Sequence, residues 1–144
     1  MVDPLHFRKL ECMMLAAPLV AQFDCSVSVA EGRAGISFPV HRRHFHGAGG
    51  VHGAIYFFAL DNAAMLAANS VVSDRVVFTT GFTIEIVRPV REGRIRAEGR
   101  VTGRQKDLIE VEATVFNDDG AEIGRGRGTF GRSQVQLGPE TGYA

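Results

Sequence analysis

The sequence predicts an α+β domain in which an antiparallel sheet curls around one long buried helix. Three observations carry this. The stretch 52–70 is apolar on nearly every side, a pattern that suits only a helix enclosed by other elements. Alternating segments flank it, two before and four after, and the last four are joined by connections short enough for antiparallel neighbours. At 144 residues the chain has room for one core and no separate recognition domain.

Taken in order, Asp3 is placed to cap a first helix that opens on Pro4, carries Phe7, Leu10, Met14 and Ala17 at helical spacing, and stops at Pro18. The apolar run 13–21 imitates a signal peptide, but Glu11 and Pro18 interrupt it and an ordinary helix is the better reading. From about 20 to 40 the pattern alternates and implies a hairpin turning at Glu31-Gly32. Residues 41–51 are too rich in glycine and charge to continue a strand and form a loop. Strands are expected over 76–87, 94–104, 108–117 and 121–131, arranged as a meander. In 94–104 the small and apolar parity Ile95, Ala97, Gly99, Val101 and Gly103 is the buried face. Gly124, Gly126 and Gly128 share one parity of the last strand, which implies that something approaches its backbone closely. The single domain spans 1–132, with its first helix inside 1–19, and a loosely ordered tail is expected over 133–144.

Hydrophobic residues make up 45% and charged residues 22%, enough for a real core and contrary to disorder. Sixteen basic residues match sixteen acidic ones, so no global field recruits nucleic acid or an anionic membrane, and neither is expected as a partner. No apolar run reaches the roughly 20 residues that span a bilayer. Cys12 and Cys25 fit neither a disulfide framework nor a metal knuckle, which points to a reducing, cytoplasmic setting.

Asp61 is the most informative residue, a carboxylate in the middle of an otherwise apolar helix. An isolated buried carboxylate is costly, so the group is protonated, paired or functional. The approach to the same helix, Gly47-Ala48-Gly49-Gly50-Val51-His52-Gly53, lets backbone amides come close to a ligand, and a helix N-terminus stabilises an oxyanion. Gly53 and Asp61 are eight residues apart, roughly 12 Å along a helix axis, so one helix cannot bring both to one carbonyl. If both act on one substrate they come from two subunits facing each other across a symmetric interface. His41, His44, His46 and His52 cluster within twelve residues; a polar loop lining a site is a better reading than zinc, since no cysteine joins them. Tyr56, Phe57, Phe58, Phe78 and Phe82 are candidates for an acyl pocket but read first as core.

The segment His46-x-x-Gly49-x-x-His52-Gly53-Ala54, with Asp61 nine residues after His52, resembles the PaaI-type hotdog thioesterases. In that family Asn-x-x-Gly-x-x-His-Gly-Gly opens the central helix and an acidic residue follows on it. Thr83-Ile84-Glu85-Ile86-Val87-Arg88-Pro89 with Gly93 looks like the third strand and its turn, and Gly128-Thr129-Phe130 like the closing strand. The likeness covers about 21–131. It departs at His46, where the family has Asn, and at Ala54, where it has Gly. His46 can still donate a hydrogen bond, but only from the correct tautomer.

The resemblance implies a hotdog fold, hydrolysis of acyl-CoA thioesters without metal or organic cofactor, and a homodimer or dimer of dimers. It assigns catalysis to Gly53, whose amide polarises the carbonyl, and to Asp61 of the partner subunit, which activates water or attacks directly, with His52 and His46 alongside. Thr79, with Thr80 as the alternative, would place the water. Gly49, Arg88, Arg104 and Lys106 are the candidates for substrate binding. Two other functions compete. A non-catalytic acyl-CoA-binding protein would keep the fold without turnover. A hydratase or dehydratase would use His44-Phe45, but the residue fourteen after His44, where that arrangement wants a glutamate, is Phe58.

Overall fold

The computed structural model describes residues 3–144. The first helix, α1 (Pro4–Ala16), starts as the sequence implies: Asp3 accepts the Leu5 N–H at 2.9 Å. It ends at Ala17, whose extended backbone is the conformation favoured before Pro18. Strands β1 (Ser26–Ala30) and β2 (Arg33–Pro39) form the expected hairpin, with Gly32 at φ 73° in its turn. The central helix α2 (Gly53–Asn69) follows, then β3 (Arg75–Ile86), β4 (Arg94–Gln105), β5 (Leu108–Phe116) and β6 (Glu122–Gln136).

All six strands join one antiparallel sheet in the order β1-β2-β4-β5-β6-β3. This corrects the meander: β3 lies at an edge beside β6, not beside β4. The sheet curls around α2, which touches β2, β3, β4, β5 and β6, and the curl brings the end of β3 within reach of the start of β4 although two strands lie between them. Leu60, Ala63, Ala64, Leu66, Ala67 and Ala68 are fully buried in this wrap. Gly99 allows the closest approach, since a Cβ there would lie 2.6 Å from the Ala63 carbonyl oxygen.

The two sheet edges are treated differently. At the β1 edge, α1 covers the backbone: Arg8 donates to the Val29 carbonyl at 2.7 Å and Glu11 accepts the Val29 N–H at 2.8 Å. The edge along β3 is 12 residues long and carries exposed Phe78, Ile86 and, just beyond it, Val87.

The chain end is also more ordered than its composition suggests. Strand β6 runs to Gln136, five residues past the expected end, because the long β3 offers it a partner as far as Arg75. Beyond a short turn at Pro139–Thr141, the Tyr143 hydroxyl lies 2.7 Å from Nδ1 of buried His6, whose Nε2 lies 2.9 Å from the Asn69 carbonyl. The carbonyl can only accept, so His6 donates from Nε2 and Tyr143 donates to Nδ1. Among the described residues no helix is long and apolar enough to cross a membrane.

Candidate active site

The loop before α2 is built by its own backbone. A bridge pairs Phe45 with Val51, His46 donates its N–H to the Gly50 carbonyl at 2.9 Å, and Gly49 turns the chain at φ 87°. Val51 N–H ties the loop to the Val90 carbonyl at 2.9 Å. Two histidines complete it in the same way. His46 Nδ1 accepts the Ala48 N–H at 3.0 Å, and His52 Nδ1 accepts the Ala54 N–H at 2.9 Å, which makes His52 the N-cap of α2. With Nδ1 committed as acceptor, the neutral rings carry their protons on Nε2, so His46 presents a donor. Ala54 is helical, so the residue that differs from the family motif meets no backbone conflict.

Gly53 is the first helical residue, and its N–H has no acceptor within the helix. It opens onto a cleft of ≈ 390 Å³ lined by His46, Gly53, Tyr56, Ile86, Arg88 and Pro89 among others. The sequence places Tyr56 first in the core. It is core at its ring, but its hydroxyl holds the cleft wall by donating to the Arg88 carbonyl at 2.6 Å. Helical spacing of three from Gly53 is the sequence feature that places it there.

Asp61 lies two turns further along α2. Thr79 Oγ1 donates to its Oδ1 at 2.7 Å. Burial pushes the Asp61 carboxyl above its ordinary range, and the Thr79 hydrogen bond pulls the other way. A bulge in β3 between Thr79 and Gly81 separates the two threonines: Thr79 turns to the helix while Thr80 donates to the Thr129 carbonyl at 3.0 Å. Thr79, not Thr80, therefore meets Asp61.

The remaining candidates divide by position. Arg88 lines the cleft and donates from Nε to the Glu122 carbonyl at 3.2 Å. Gly49 is an exposed turn whose carbonyl accepts from Arg91, a residue that the sequence did not single out. Arg104 and Lys106 are not brought to the cleft of their own chain. Arg104 pairs with Ile109, Ile109 with Phe130 and Phe130 with Thr79, so both cations sit at the Asp61 end of the sheet. Among the aromatic candidates Phe58 is core, whereas Phe57 and Phe78 are 39% and 54% exposed. The reading of those two as core is corrected: Phe57 is open on the helix side beside Phe82, whereas Phe78, between the inward-facing Val77 and Thr79, points to the opposite face of the sheet.

His44 belongs to the core. It is buried, stacks on Phe23 with centroids 4.8 Å apart, and is held below its usual range by burial and by neighbouring Arg43 and His41. Such a histidine does not serve the dehydratase arrangement. His44 and His46 do not converge with a carboxylate: among the described residues no group of three or more His, Cys, Asp or Glu is placed to hold a metal.

A family profile described as the thioesterase superfamily matches residues 48–123, which span the end of the loop, the helix and strands β3 to β5. Solved structures share the whole architecture. The E. coli PaaI protein from the phenylacetic acid degradation operon is 20% identical, with 94% of this chain and 99% of that one covered at a TM-score of 0.85. A conserved protein of Pseudomonas aeruginosa is 27% identical over 84% of this chain and 97% of that one at 0.77. A thioesterase family protein of Silicibacter pomeroyi is 24% identical over 86% and 95% at 0.78. No curated protein matches the sequence significantly. The α2 helix wrapped by a six-stranded antiparallel sheet is thus the hotdog fold.

Proposed function

The chain belongs to the thioesterase superfamily, and from that premise we propose that it hydrolyses acyl-CoA thioesters in a site shared by two subunits. Thioester hydrolysis in general is the activity that the family supports. The finer reading rests on one observation. A free helix-terminal amide at Gly53 and a half-buried carboxylate at Asp61 lie on one helix, too far apart for one carbonyl.

Pairing two copies along the uncovered β3 edge, with their helices antiparallel, sets Gly53 of one protomer opposite Asp61 of its partner. The exposed apolar side chains on that edge favour such pairing, as does the contrast with the covered β1 edge. A homodimer, alone or doubled, is the proposed functional unit. In it the Gly53 N–H and His46 Nε2–H would hold the thioester carbonyl where negative charge develops. Asp61 would take a proton from water as the water attacks the carbonyl, or attack directly to form a mixed anhydride that water then opens; in either case the carbon–sulfur bond would break to release the CoA thiolate, which is then protonated. Thr79 would keep the Asp61 carboxylate oriented. Arg88 at the cleft, with Arg104 and Lys106 brought in from the partner, would meet the CoA phosphates, and Gly49 would shape the loop above them. A cytoplasmic setting goes with two unpaired cysteines.

The test is release of free CoA from a panel of acyl-CoA thioesters by wild type and Asp61→Ala. Wild-type turnover lost in the variant, with CoA binding retained, supports the reading. Binding without turnover by wild type would favour the non-catalytic acyl-CoA-binding alternative.

A further inference from the structure

The seam between α2 and β3 has three stations in a line. At one end Gly53 faces Ile86, for a Cβ on Gly53 would lie 3.1 Å from Ile86 Cδ1. At the other end Asp61 holds Thr79. Between them Phe57 stands edge-on to Phe82, with ring centroids 5.5 Å apart and planes at 87°. Phe57 is four residues from Gly53 and four from Asp61, so it shares their side of the helix and lies midway between the amide that serves one proposed site and the carboxylate that serves the other.

Strand β6 makes room for the Phe82 ring. A Cβ on Gly126 would lie 2.5 Å from Phe82 Cε1, and one on Gly128 would fall still closer to Cδ2. Phe130 closes the far side, edge-on with centroids 6.4 Å apart. Phe82 therefore lies as a stopper in a trough of β6 that has no side chains of its own there. The outer ring of the pair, Phe57, stays 39% exposed on a helix that is otherwise mostly buried. An aromatic pair open to the seam, about one helical turn from the amide that holds the carbonyl, meets what that carbonyl carries.

Resting on the thioester-hydrolase reading above, we infer that Phe57 and Phe82 set the length of the acyl group. The substrate class is CoA thioesters of short or compact acyl groups. The acyl chain leaves the carbonyl along the seam and ends against the pair, and the trough under Phe82 is the path that a longer chain needs and does not have.

The experiment measures kcat/KM for straight-chain acyl-CoA thioesters from acetyl to dodecanoyl with wild type, Phe82→Ala and Phe82→Leu. Wild type is expected to fall with chain length. Phe82→Ala is expected to raise the long-to-short ratio about tenfold or more. Phe82→Leu, which keeps part of the packing and folds if the alanine variant does not, shifts the ratio the same way by less. Length profiles parallel to wild type in the folded variants overturn the inference and leave the hydrolase reading standing. CoA released from no thioester by wild type overturns both.

Discussion

The Thr79 hydroxyl donates to the Asp61 carboxylate across 2.7 Å and so ties the edge strand to the only acidic residue of the central helix. Burial alone favours the neutral acid, whereas a donated hydrogen bond favours the anion. The balance between the two sets the pH at which Asp61 becomes a base.

Thr79→Val removes the opposing contribution, so the Asp61 carboxyl rises further above its ordinary range. The acid limb of the kcat/KM profile is expected to move to higher pH, with turnover on the alkaline side reduced less than at neutral pH. A pH–rate profile with an unmoved acid limb would show that Thr79 does not tune this group.

Asp61→Asn separates stability from activity. A carboxyl whose folded value is raised supports folding fully below its unfolded value, and that support is lost as pH rises through the folded one. At neutral pH the charged Asp61 is therefore a net cost to the fold, and asparagine keeps an acceptor for Thr79 without the charge. The variant is expected to melt higher than wild type at neutral pH, to lose that advantage in acid, and to lose turnover. Thermal melts across pH check the sign.

Gly53→Pro deletes one hydrogen-bond donor and little else. Proline suits the first position of a helix, and His52 before it already has φ −64° and ψ 143°, the conformation that proline demands of its predecessor. The nearest obstacle is the flexible end of Ile86. Turnover is expected to fall by about 10²–10³-fold with the fold intact by circular dichroism. Near-normal turnover in the folded variant would remove the amide from the reaction.

Gly99→Ala and Gly103→Ala test the wrap around α2. In both, the new Cβ would lie 2.6 Å from an oxygen, but at Gly99 that oxygen is the Ala63 backbone carbonyl and at Gly103 it is the mobile end of Glu110. Gly99→Ala is expected to cost about 1–3 kcal/mol or more. Gly103→Ala should stay within about 0.5 kcal/mol. Denaturant titrations of the two variants read the difference.

Much of this was legible in the residues. An apolar helix interrupted by Asp61 needs enclosure and a partner; Thr79 comes from the family resemblance, and its choice over Thr80 rests on a bulge in β3 that plain alternation does not announce. The strand order was not legible, because short connections imply neighbours only while a sheet stays open, and here the curl brings distant strands together. Arg104 and Lys106 could be placed only through the register of four strands. The proton on His46 depends on an amide delivered by a turn at Gly49, a local geometry that composition leaves open. The ordered chain end rests on Tyr143 meeting His6 at the other end of the chain, a contact that no local pattern announces.

Gly53 and Asp61 of different subunits are proposed to act on one thioester, and complementation between variants decides it. Gly53→Pro and Asp61→Asn proteins, each inactive alone, are to be mixed, unfolded and refolded together, and CoA release measured on the mixture. Random pairing makes half of the dimers heterodimers, each with one intact site of two, so recovery of about a quarter of wild-type activity is expected. No recovery in isolated heterodimers would show that the two groups do not share a site.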